Sequence, residues 1–173
     1  MDSTITLDEA NRMLDAYIEQ ALAQLPAGAG LRERLRIEEE PCDDVEGDRG
    51  KQQASRNYQV TGIDPAQIPS CFDILRTWWL NNDFRVLDNK PADEFLWVEN
   101  NADGFRMTLK AADGGRLMLV SSSPCVWRDG TPRPIGPDGA IALRARFRNH
   151  RSGNRFPRRR ADDQQHEGES GET

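Results

Sequence analysis

The large apolar residues of this chain are bunched, and that limits where a core can form. Between Phe72 and Val126 they are dense and include Trp78, Trp79, Phe95, Trp97 and Phe105. After Leu143 almost none remain except Phe147 and Phe156. A packed core therefore belongs to the first three quarters. The last quarter lacks the apolar surface to offset the entropy of ordering it. The predicted organisation is one domain over residues 1–130 and a tail over 131–173. That tail runs Pro/Gly-rich, then arginine-rich, then acidic, and is expected to be disordered.

Charge is segregated in the same way. Residues 144–160 hold eight arginines and no acid, and residues 161–173 hold five acids and no base. The part before the arginines is therefore more acidic than the net charge of −6 suggests. Such a domain repels nucleic acid and anionic membrane, so no nucleic-acid partner is expected. Phe147 and Phe156 interleave the arginines, but a solvated tail pairing with its own acidic end is preferred to a phosphate-binding arm.

Hydrophobic spacing predicts a helix over residues 7–25, with Leu7, Ala10, Leu14, Tyr17 and Ala21 on one face. Thr6 and Glu9 form a capping box before it. Leu35 and Ile37 alternate with charges and suggest a short strand at 34–39, and Tyr58 and Val60 suggest another at 56–62. Pro69 opens a second helix, with Ile68, Phe72, Leu75 and Trp79 on one face and Asn81-Asn82-Asp83 as its stop. Four strands follow in close order: 84–88, 95–100, 105–110 and 116–122. Their turns carry Asp103-Gly104 and Asp113-Gly114-Gly115. Short turns make an antiparallel meander. The expected fold is therefore α+β: two layers, a β-meander of about five to six strands, and two helices on one face.

No catalytic, metal or cofactor residues are assigned. Both histidines, His150 and His166, lie in the tail. No imidazole in the domain can serve a serine or cysteine nucleophile or a histidine-based metal site. Asp44, Glu46 and Asp48 alternate as in a calcium loop. The glycine, however, falls one place late, and Ser55 stands where the bidentate glutamate is needed. These residues, with Asp43, Asp93 and Glu94, read as solvated acidic loops. Trp78, Trp97 and Trp127 are the candidates for an apolar ligand groove between helix and sheet; ordinary core or rim packing is the competing reading.

No run of residues is apolar enough to span a bilayer. The first residues lack the basic and apolar regions of a signal peptide, which at face value predicts a cytoplasmic protein. Among three cysteines, Cys71 lies beside the apolar stripe of the second helix, and a buried thiol is the default there. Cys42 and Cys125 sit in loops flanking the sheet. Spacing alone does not establish a pairing.

Several segments in fixed order carry a resemblance. They are Pro41-Cys-Asp-Asp, Phe72-Asp-Ile-Leu-Arg-Thr-Trp-Trp79, Phe84-Arg-Val-Leu, Phe95-Leu-Trp-Val-Glu-Asn100, Gly104-Phe-Arg-Met-Thr-Leu109 and Ser122-Ser-Pro-Cys-Val126. From about residue 7 to Pro134 the chain resembles a widespread family of actinobacterial secreted proteins and putative lipoproteins with no assigned activity. The resemblance implies a Cys42–Cys125 disulfide and an extracytoplasmic, cell-envelope location. The absent export signal and the tail after Pro134 depart from the family pattern, and Cys71 is an addition to it. The expected function is a non-enzymatic envelope domain that binds a partner protein or a small ligand. The alternatives are a small-molecule or lipid binder using the tryptophan groove, and a carboxylate-based cell-wall hydrolase, which needs two facing carboxyl groups.

Overall fold

The computed structural model describes residues 2–42 and 48–132. Asp43, Asp44 and Glu46 of the acidic loop, both histidines and the charged tail lie outside the described residues. The expected α+β fold is found: one six-stranded antiparallel sheet with helices packed on it.

Helix α1 spans Leu7–Leu22. Its start is the capping box: the Glu9 amide donates to Thr6 Oγ1 at 3.1 Å, and the Thr6 amide donates to Glu9 Oε2 at 2.8 Å. Each contact satisfies an amide that the first helical turn leaves without a carbonyl. Leu7, Ala10, Leu14, Ile18 and Ala21 are buried, which is the three- and four-residue stripe facing the sheet.

Strands β1 (Gly30–Pro41) and β2 (Gln52–Thr61) form a hairpin and are both longer than the expected segments. β1 is a charged edge strand interrupted by two register shifts, so its apolar alternation is weak. Charges and bulges of this kind protect a sheet edge from further pairing. A short 3-10 turn at Pro65–Gln67 then leads into α2 (Ile68–Asn81). Pro69 falls in the first turn of α2, and Asp83 after its end takes φ 62°, the left-handed geometry that stops a helix.

β3 (Phe84–Lys90), β4 (Phe95–Asn100), β5 (Arg106–Ala112) and β6 (Arg116–Ser122) form the meander. The sheet order is β1-β2-β6-β5-β4-β3. Helix α2 thus carries the chain from β2 to the far edge, and the meander returns until β6 pairs with β2. The register puts Leu96, Leu109, Leu119 and Tyr58 in one cross-strand row, with Val98, Met107 and Ser121 in the next. That side is the helix side. Leu14 of α1 and Leu75 and Trp79 of α2 are fully buried there. Complete burial of side chains this large contributes on the order of 1.5–3 kcal/mol each.

The two ends of the domain are tied together. The Thr4 amide donates to Gly130 O at 3.0 Å, and the Trp127 indole donates to Asp2 O at 3.2 Å. A disulfide joins Cys42 to Cys125 across 83 residues, with a Cα–Cα distance of 6.2 Å. Cys71 is a buried free thiol on the α2 stripe.

Candidate functional site

The three tryptophans do not converge. Trp78 is a half-buried residue of α2, packed at the margin of the core. Trp97 belongs to the opposite side of the sheet, because it alternates with the buried Leu96 and Val98 and stacks with Arg106. Trp127 is fully buried beneath the N-terminal segment, where its own amide donates to Thr4 Oγ1 at 2.8 Å. A groove lined by all three is therefore not formed. The sequence could not show this, because it turns on strand parity and on docking of residues 2–6.

A cleft does lie between the layers, at another place. It has a volume of about 360 Å³ and sits between α2 and the β3–β4 end of the sheet. Phe72, Leu96, Pro69 and Pro91 give it apolar walls, while Asp73, Arg76 and Glu94 stand at its rim. Phe72 and Arg76 are one helical turn apart and so share a side of α2. Leu96 comes from the buried face of β4. Among the described residues the rim charges make no ion pair with one another, although Asp73 and Arg76 have the spacing that often pairs on a helix.

Glu94 is held at the rim by an unusual backbone. Its φ is 46°, in the left-handed region that a glutamate rarely occupies. Its amide donates to Pro91 O at 3.2 Å and its carbonyl accepts from the Ala111 amide at 2.9 Å. The turn Pro91-Ala-Asp-Glu94 thus closes one wall of the cleft. Of the expected acidic pair, Glu94 lines this cleft and Asp93 is exposed. In the sequence Asp93 and Glu94 stand out before β4, but not the Pro91 turn that carries them. Nothing there marked its apposition to Phe72.

A second, more polar cavity of about 410 Å³ borders the disulfide. Gln53, Glu99, Arg106 and Ser123 line it with Cys42, Cys125 and Asp48. Glu99 is nearly buried and is gripped by two guanidinium groups, Arg106 Nε at 2.7 Å and Arg85. The Arg106 hydrogen bond holds its carboxyl below the usual carboxylate range, against the upward pull of burial, and Arg85 adds to the effect. Asp48 is bound to Lys51 at 2.6 Å.

A third charged group lies under α1. Arg56 is buried and donates to Asp15 Oδ1 at 2.9 Å, to Asn11 Oδ1 at 2.8 Å and to Ile37 O at 3.0 Å. Burial raises the Asp15 carboxyl pKa, but hydrogen bonds from Arg56 and Arg36 outweigh it and the net shift is downward. Asp15 and Glu99 are therefore both stabilised as anions. Glycosidase acid catalysis needs a carboxyl group kept protonated, its pKa raised. Neither of these residues supplies one. Among the described residues, no cluster of three or more His, Cys, Asp or Glu is placed to hold a metal ion.

No protein-family model matches the chain, and no curated protein or solved structure is significantly similar to it.

Proposed function

We propose that the chain is a disulfide-clamped, extracytoplasmic binding domain of the cell envelope, and that its ligand or partner occupies the cleft between α2 and β3–β4. The observation that carries this reading is the cleft itself. Its volume falls in the range of small-ligand pockets, its walls are apolar, and among the described residues its three rim charges have no ion-pair partner. An apolar floor under uncommitted charges suits a small amphipathic molecule or the anchoring side chain of a partner.

The location is supported by the Cys42–Cys125 bridge. Structural disulfides persist in oxidising compartments and are rare in the cytoplasm. The resemblance to secreted proteins and putative lipoproteins points the same way. No described helix is long and apolar enough to cross a membrane.

The test is a screen of fractionated envelope extract by nuclear magnetic resonance on labelled full-length protein. Binding should shift the resonances of Phe72, Arg76 and Leu96 selectively. Phe72→Ala and Arg76→Glu should each weaken that binding about tenfold, since a lost apolar anchor or charge contact contributes on the order of 1–2 kcal/mol. Shifts that map elsewhere, or that persist unchanged in both variants, would remove the cleft from consideration.

A further inference from the structure

The helices cover one side of the sheet, and the pairing register shows what the other side carries. One cross-strand row on that open side runs Leu35, Asn57, Val120, Thr108, Trp97. The row beside it contains Met118 and Phe95, placed opposite Lys110 and flanked by Arg32 and Lys90. The row on the other flank holds Arg106, Glu99 and Arg85. A band rich in apolar side chains, interrupted by Asn57 and Thr108 and holding two aromatic rings, therefore crosses the sheet with Lys and Arg beside it.

The charges of this face are unlike those of the rest of the domain. Two of its carboxylates, Glu99 and Asp88, are already engaged by face cations: Arg85 and Arg106 for the first, Lys90 at 3.0 Å for the second. Arg32 and Lys110 have no ion pair among the described residues. Arg106 lies 5.7 Å from the Trp97 ring centre and Lys90 lies 5.6 Å from that of Phe95, so both cations rest on aromatic faces. The Trp97 indole N–H has no hydrogen-bond partner among the described residues. Acidic groups border this face beside Lys90, where Asp93 lies close enough to act on the ammonium, and at the disulfide end. There Glu40 accepts from Gln53 and Asp48 pairs with Lys51.

We propose that this open face docks on an anionic lipid surface. The chemistry that such a surface reads is present together: an indole with a free N–H, neighbouring apolar side chains, and flanking Lys and Arg for phosphate headgroups. The acids of helix α1 do not cancel the attraction. Helix α1 lies on the opposite side, and a helix is about 10 Å across. Its exposed Asp8 and Glu19 therefore sit beyond the Debye length of about 8 Å at physiological salt. The same asymmetry orients the domain, since only one side is attracted. A second copy stacked on this face brings like charges together, so charge disfavours it as the occupant. The acidic segment 161–173 has complementary charge but no large apolar residue for the band.

The test is sedimentation of the full-length protein with vesicles of phosphatidylcholine, with and without phosphatidylglycerol. The proposal requires binding to the anionic vesicles alone and its loss as salt is raised. Arg32→Glu combined with Lys110→Glu should weaken it about tenfold or more. Trp97→Ser should weaken it further, with circular dichroism confirming the fold of each variant. No binding to anionic vesicles overturns the proposal. Binding that survives the double charge reversal also overturns it and assigns the attraction to the arginines of 144–160. Capture of poly-glutamate by this face without vesicle binding overturns it in favour of an acidic polypeptide.

Discussion

Arg56 and Asp15 meet at 2.9 Å beneath helix α1, and the pair is lopsided: the arginine side chain is 1% exposed, the aspartate 39%. The guanidinium is therefore the group at risk. Removing its carboxylate leaves a buried charge facing neutral acceptors: Asn11 and the Ile37 and Ser55 carbonyls. Asp15→Asn should destabilise the protein by about 2 kcal/mol, below the full cost of breaking a buried pair because water reaches this aspartate. Urea denaturation of the two proteins measures the difference. An unchanged midpoint would show that Arg56 is held by its neutral partners alone.

Acid should unfold the protein through carboxylates whose native pKa is depressed, chiefly Glu99 and Asp15. The Arg106 hydrogen bond is the main cause for Glu99, while for Asp15 the arginines overcome a larger opposing burial effect. The sign follows from linkage. A folded pKa below the unfolded one gives stability that is present above the unfolded value and lost as pH falls through the folded value. The melting temperature should be level above about pH 5 and drop from about pH 4 downward. Glu99→Gln should start lower at neutral pH and show a shallower acid decline. Parallel curves would contradict the assignment.

Two backbone positions should respond in opposite directions. At Gly62, with φ 72°, an added Cβ would sit 2.1 Å from the Gly28 carbonyl oxygen, which is backbone and cannot turn aside. Gly62→Ala should cost about 3 kcal/mol or more. At Glu94, with φ 46°, glycine relieves a left-handed conformation. Glu94→Gly should be neutral or stabilising by up to about 1 kcal/mol. Thermal unfolding in calorimetry reads both. Destabilisation by Glu94→Gly would mean that the glutamate side chain supports the fold.

Much of the fold was legible in the sequence, because it depends on local chemistry. Thr6 and Glu9 announced α1, Pro69 and Asn82 bounded α2, and β4 and β6 span Phe95–Asn100 and Arg116–Ser122 as expected. β1 was underestimated because a charged edge strand shows little alternation; its exposed Arg36 lies on the helix side, where it pairs with Asp15 of α1. Contacts between distant segments were hidden in the same way. Nothing in the spacing linked Arg56 to Asp15, or brought Phe72 to Pro91 and Leu96 around a cleft. Trp127 looked like a groove residue because its cover is the chain's own N-terminal segment.

The disulfide should contribute substantially to stability. A bridge spanning 83 residues stabilises by about 4 kcal/mol on the chain-entropy account. Replacing both Cys42 and Cys125 by Ser should lower the urea midpoint accordingly. Burial raises the Cys71 pKa, so this thiol should react with a thiol reagent only after unfolding. Rapid labelling of the native protein would show that its pocket opens.

Where that bridge forms separates an extracytoplasmic domain from a cytoplasmic one. Cells producing the full chain can be fractionated, denatured in the presence of an alkylating reagent and analysed by mass spectrometry before and after reduction. The account predicts a Cys42–Cys125 disulfide with a single alkylatable thiol at Cys71, in protein recovered from the envelope or the medium. Protein confined to the cytoplasm with all three thiols alkylated would contradict it.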